Sequence, residues 1–183
     1  MRGVSVPIST ARGWLFNASV ATGLSLAELA APFDAVSIAL SKGLGCPVGS
    51  LIAGTREDML RALRVRRMFG GAMRQSGILA AAGLFALDQG LAFMAADHAN
   101  ARLIAEVVAG TKAVIDLATV QTNIVIFRLP ESLPDAATIV RRAEAQGVLV
   151  QAFAPRTVRA TTHINVSAAQ CRRAGEVLAA AIG

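Results

Sequence analysis

The 183-residue chain has no tyrosine, one tryptophan and two cysteines, and aromatic residues make up only 4% of it. The cysteines, Cys46 and Cys171, offer neither a disulfide framework nor a metal-ligand spacing, so no metal site is expected and a reducing, cytoplasmic setting is the simplest. With so few aromatic rings there is no stacking platform for single-stranded nucleic acid. The net charge of +6 is carried by dispersed arginines, which argues against nucleic acid as a partner. Uncharged stretches such as residues 13–27 are interrupted by Asn17, Ser19, Thr22 and Gly23 and fall short of a membrane-spanning helix. No basic-then-apolar leader is seen, so neither secretion nor a membrane is expected. What the chain does have is apolar material: 54% of its residues are hydrophobic, ample for a core.

The scarcity of lysine is the most informative. Of 18 basic side chains only two are lysines, Lys42 and Lys112. Lys42 stands in SIALSKGLGCPVGSLIAG, residues 37–54, between an apolar run and a turn rich in glycine at 43, 45 and 49. Arginine stays protonated, whereas a lysine amine can lose its proton and act as a nucleophile toward an aldehyde. On composition alone a surface lysine in a loop is the simpler reading, and the glycines read as backbone permissions beside it. They do not read as a phosphate cradle, because a strand is expected to follow them.

Periodicity and punctuation predict the elements. Residues 15–31 read as two short helices broken at Gly23, and residues 35–40 and 48–53 as buried strands. Thr55 caps a helix that stops at Gly70-Gly71, with Asp58 near a capping-box position. Residues 76–87 form a helix apolar on nearly all sides, which implies burial, and residues 91–109 form a second, amphipathic one. The texture then changes near residues 110–120. A strand at 123–129, a helix from Asp135 to Gly147, strands at 148–151 and 158–162 and a helix capped by Ser167 describe a compact α+β unit.

The blocks SKGLGCPVGS and GGAMRQSGILAAAGLFAL, followed by DHANARLIAEVV, VQTNIVIFRL and VRATTHINVS, run in one order from about Leu15 to the end of the chain. EDMLRALRVRRMFGG lies between the first two. Together they resemble the low-specificity L-threonine aldolases of the beta-eliminating lyase/threonine aldolase family. The resemblance implies an α/β fold of the pyridoxal-phosphate (PLP) aspartate-aminotransferase-like type, fold type I, of which this is the C-terminal half. A remnant of the large-domain sheet (15–112) would be followed by a small α+β domain (113–183). It implies a carbon–carbon lyase that cleaves L-threonine and L-allo-threonine type β-hydroxy amino acids to glycine and an aldehyde. Pyridoxal 5'-phosphate would be the cofactor, and a dimer or tetramer the assembly.

By the same resemblance Lys42 is the catalytic residue that binds the cofactor as a Schiff base, and Arg159 grips the substrate carboxylate. Without the family, Arg159 reads as a surface arginine at a strand start. His163 shares a strand face with Arg159 and Thr161 at two-residue spacing and reads as structural. Asn165 stands where the family usually has aspartate. Arg74 reads either as a neighbour of the cofactor or a subunit contact, or as a cap of the helix behind it. His98 reads as a solvated or packing residue.

Leu15-Phe16-Asn17-Ala18 matches the family, but the Asp-Gly-Ala-Arg expected before it is replaced by Ile8-Ser9-Thr10-Ala11-Arg12-Gly13. A one-base change of frame across Pro7 to Gly13, with G+C-rich codons, reads His-Leu-Asp-Gly-Ala-Arg. Residues 1–14 are therefore expected to be non-matching, frame-shifted, and poorly ordered or placed at random on the surface. The rival to an active lyase is a truncated, catalytically inactive fragment that at most associates with a full-length relative.

Overall fold

The computed structural model describes the backbone of residues 8–11 and the full atoms of residues 14–183, which divide into two compact units, residues 1–92 and 93–183. In the first unit, β1 (Ile8–Ala11), β2 (Ala35–Ala39) and β3 (Ser50–Gly54) form a sheet in that order. β1 runs parallel to β2, Ile8 facing Ala35, and β3 returns antiparallel, Ala39 facing Ser50. The expectation of a disordered start is corrected at Ile8–Ala11. A sheet ladder is made by backbone groups, and the β-branched Ile8 and Thr10 suit it whatever their origin. Trp14, the last of the fourteen, also packs, its ring meeting Phe33 edge-on at 6.4 Å between centroids. The rest of that segment, residues 1–7 and 12–13, lies outside the described residues.

α2 and α3 of this unit begin where polar caps place them. α1 (Trp14–Thr22) ends at Gly23, whose φ of 73° reverses the chain into α2 (Leu26–Ala30). Ser25 and Glu28 close a reciprocal capping box on α2. α3 (Arg56–Met68) starts at Thr55, whose hydroxyl accepts from the Asp58 amide and donates to the Asp58 carboxylate at 2.6 Å.

Three expectations fail here. β3 was expected to be buried, yet all five of its residues are exposed, because it lies at the sheet edge with no strand beyond it among the described residues. The two helices expected at 76–87 and 91–109 are one, α4 (Gly77–Ala109). Gly90 does not interrupt it; it is the point of closest approach, since a Cβ there would lie 2.6 Å from Leu44 Cδ2. Nor is the first half of α4 buried all round. Gly83, Ala86 and Gly90 form a covered stripe, while Ile78, Leu84 and Phe85 stay exposed. As a single helix α4 is long and apolar enough to cross a membrane by length and composition, which the expected shorter segments were not.

In the second unit β4 (Ile124–Arg128), β6 (Thr157–Thr161) and β5 (Gln151–Ala154) form an antiparallel sheet with β6 in the centre. The strand expected at 148–151 begins three residues later, after the turn at Gly147, whose φ is 77°. One sheet face packs on residues 93–109 of α4, on α5 (Ala136–Glu144) and on α6 (Ala168–Ile182) through a core that includes Val108, Val125, Phe127, Ile139, Val158 and Leu178. α4 and α6 come close at Gly175, where a Cβ would sit 3.0 Å from Val107 Cβ. Asp135 and Ser167 cap α5 and α6 as expected.

Candidate functional site

Lys42 lies three residues beyond the end of β2, in the turn that leads into β3, with its side chain exposed. The backbone around it is closed by three hydrogen bonds. The Gly45 amide donates to the Lys42 carbonyl at 2.8 Å, the Cys46 amide to the Leu40 carbonyl at 3.2 Å, and the Leu40 amide to the Gly49 carbonyl at 3.0 Å. Gly45 and Gly49, with φ of 73° and 124°, hold conformations that side-chain-bearing residues rarely adopt.

Beneath the turn, Leu40, Leu44 and Cys46 are buried. They rest on the small-residue stripe of α4: Leu40 on Gly83, Leu44 on Gly90, and the Cys46 thiol 3.9 Å from the Ala82 carbonyl. A flexible amine is thus presented on a backbone pinned from below. The nearby GGAMRQ segment leads into α4, and Arg74 is exposed there. Gln75 has a φ of 52°, the only positive φ outside glycine among the described residues.

Arg159 belongs to the second unit. On β6 the neighbours Val158 and Ala160 enter the core, so Arg159 and Thr161 occupy the opposite, open face of the sheet. Arg159 sits between Ile126 of β4 and Gln151 of β5. Its guanidinium lies over the Phe153 ring at 5.5 Å from the centroid, and its Nε is buried without a hydrogen-bond partner. A buried N–H donor without an acceptor is rare and calls for a physical account.

His163 falls beyond β6, exposed, with its Nδ1 accepting from the Asn165 amide at 3.3 Å. Sequence reasoning passed over the residue before it. Thr162 is 1% exposed and donates from its hydroxyl to the Asp97 carbonyl of α4 at 2.6 Å. Its amide and carbonyl pair with Asn123. On α4, Asn100 donates to the Val166 carbonyl at 3.2 Å. The end of the Arg159 strand is therefore tied to α4 by polar groups that an apolar-periodicity reading treats as noise.

Burial raises the Asp97 carboxyl above the ordinary aspartate range, with His163 opposing the rise. Burial lowers His98, and burial together with the Asp97 charge raises the Cys171 thiol. A cleft of about 490 Å³ is lined by Thr161, Thr162, His163 and Cys171 among others. Arg159 is not on its lining. Among the described residues no cluster of His, Cys, Asp and Glu suits a metal ion.

Known proteins resemble this chain both in sequence and in fold. It is 44% identical over 169 residues to a low specificity L-threonine aldolase of Escherichia coli O157:H7, covering 92% of this chain and 48% of that protein. A low specificity L-threonine aldolase of strain K12 is 43% identical over the same length and the same shares. The chain thus spans about half the length of the curated relatives it matches.

Among solved structures, a candidate L-allo-threonine aldolase from Listeria monocytogenes EGD-E superposes with a TM-score of 0.76 at 17% identity. The match covers 96% of this chain and 52% of that one. An 8-amino-7-oxononanoate synthase of Francisella tularensis superposes with a TM-score of 0.58 at 18% identity, covering 80% and 44%. The fold is the α/β, fold type I architecture of PLP enzymes, as expected from the sequence blocks. The family model described as beta-eliminating lyase matches residues 1–132, a span that includes the first fourteen residues. The chain belongs to the beta-eliminating lyase family.

Proposed function

We propose that this chain carries the lysine and the carboxylate-binding half of a PLP-dependent aldolase. The reaction is cleavage of L-threonine and L-allo-threonine type β-hydroxy amino acids to glycine and an aldehyde. The observation that carries this reading is the Lys42 turn: one of only two lysines, exposed at a strand end, on a backbone closed by three hydrogen bonds and seated on α4. A primary amine so placed fits a cofactor that is held through its aldehyde. Arg159, with its buried and unpartnered Nε, fits the substrate carboxylate, which the guanidinium can take with two parallel hydrogen bonds. When bound, pyridoxal 5'-phosphate supplies the electron sink for the charge left on Cα as the Cα–Cβ bond breaks. The chain's own part is to anchor that group at Lys42 and to fix the orientation of the amino acid through Arg159, so that the Cα–Cβ bond is the one activated.

In this reading residues 15–112 are the closing part of the cofactor-binding large domain and residues 113–183 a small domain. The protein works in the cytoplasm as a dimer or tetramer, with neither nucleic acid nor membrane as partner. The test is to mix the full chain with pyridoxal 5'-phosphate, record the visible spectrum, reduce with borohydride and map the label. A bound-cofactor band and a label on Lys42 support the proposal. No band, or a label spread over Lys112 and the N-terminus, overturns it in favour of a catalytically inactive fragment that at most associates with a full-length relative. The half-length match to the relatives is what keeps that second reading in view.

A further inference from the structure

Between β5 and β6 the ladder slips by one. Gln151 faces Arg159 and Ala152 faces Val158, but Ala154 then faces Thr157, so Phe153 is the extra, unopposed residue of a β-bulge. Bulges bend the strand and re-aim the side chain they carry. Here Phe153, on the same sheet face as Gln151 and Arg159, puts its ring under the Arg159 guanidinium at 5.5 Å, although it is 58% exposed and serves no core. The same guanidinium holds the buried Nε that has no acceptor. Its neighbours in register are Ile126, which has no polar side-chain atom, and Gln151, which makes no hydrogen bond to that Nε.

From the bulge, the stacked ring and the orphaned donor we infer that Phe153 is a positioning residue. Its ring face holds the Arg159 fork in the orientation that receives an amino-acid carboxylate. The inference rests on the reading of Arg159 as the carboxylate site and adds to it the group that pre-orders the fork. An arginine side chain otherwise loses rotamer freedom on binding; a ring that has already fixed its plane removes that cost from the binding step.

The test is a titration of the full chain with glycine, followed by heteronuclear NMR at the Arg159 Nε–H, a signal assigned by its loss in Arg159→Lys. Glycine methyl ester, which lacks the carboxylate, is the control. Glycine is expected to shift the signal saturably and the ester to leave it in place. Phe153→Leu keeps an apolar side chain at an exposed position but removes the ring face, and is expected to weaken glycine binding about two- to tenfold, the cost of ordering one long side chain. Phe153→Tyr restores the face and is expected to bind close to wild type, with the same urea midpoint as Phe153→Leu. Phe153→Leu binding as tightly as wild type, or Phe153→Tyr binding as weakly as Phe153→Leu, overturns the role of the ring while leaving Arg159 as the carboxylate site. A wild-type signal that does not respond to glycine overturns the carboxylate reading itself and this inference with it.

Discussion

Thr162→Val tests how the Arg159 strand is anchored. The substitution keeps the branched shape and replaces the hydroxyl by a methyl group, so it deletes the 2.6 Å bond to the Asp97 carbonyl and the long, 3.4 Å bond of the same hydroxyl to the Asn123 carbonyl. Neither acceptor is left bare: the Asn123 carbonyl still receives the Thr162 amide at 3.0 Å, and the Asp97 carbonyl lies inside α4. The cost is therefore that of one net hydrogen bond, about 1 kcal/mol, without the larger penalty of an orphaned partner. For a unit of the size of residues 93–183 that is a fall in Tm of about 4–8 °C. In native-state hydrogen exchange it is about a fivefold loss of protection at the amides of β4 and β6. Exchange is the better assay because it reports the second unit separately, whereas the only tryptophan, Trp14, lies in the first. Undiminished protection at those amides in Thr162→Val would refute the claim that this hydroxyl ties β6 to α4.

Lys42→Ala should abolish the borohydride-fixed cofactor label, read by peptide mapping, while leaving the second unit's exchange pattern unchanged. Arg159→Lys should keep the label on Lys42 but weaken amino-acid binding about tenfold or more, because a point charge replaces a fork; equal loss of cofactor from both variants would make Arg159 structural. Asp97 has its pKa raised in the folded state, so its contribution to stability is fully present below the ordinary aspartate value and is lost as pH rises through the raised one. Asp97→Asn should remove that fall, and a thermal midpoint difference between the two proteins that does not change with pH would contradict the assignment. Limited proteolysis of the full chain should leave a C-terminal piece that includes residues 93–183, whose core is continuous, and should degrade residues 15–92, where Phe69 is 86% and Ile78 81% exposed. Recovery of a protected N-terminal fragment instead would show that the first unit is the more stable one.

Much of the fold was legible because its signals are local. Thr55, Asp135 and Ser167 each cap the helix expected of them, since a cap is a contact between a side chain and an amide three residues on. Gly23 breaks the first helical stretch as its flexibility suggests. Lys42 stood out because an odd residue type beside turn glycines is visible without any tertiary contact. Of those glycines, however, only Gly45 and Gly49 adopt positive φ, and Gly43 does not.

What the tertiary structure decided are matters of distance between remote segments. The stretches 76–87 and 91–109 read as two helices, yet Gly90 between them continues one helix, and Leu44, nearly fifty residues earlier, needs the space its missing Cβ leaves. The apolar run at 76–87 read as buried, but burial depends on how many layers cover a helix, and the first unit covers only its small-residue stripe. Phe153 gave no signal at all: a bulge arises from the register of two strands, and a ring–guanidinium stack from where that register puts them. The sequence by itself determined where helices start, where the chain turns and which amine stands apart, because those follow from neighbours along the chain. The seat of the Lys42 turn on α4 and the setting of Arg159 were decided only in three dimensions, because they depend on which distant atoms share the same few ångströms.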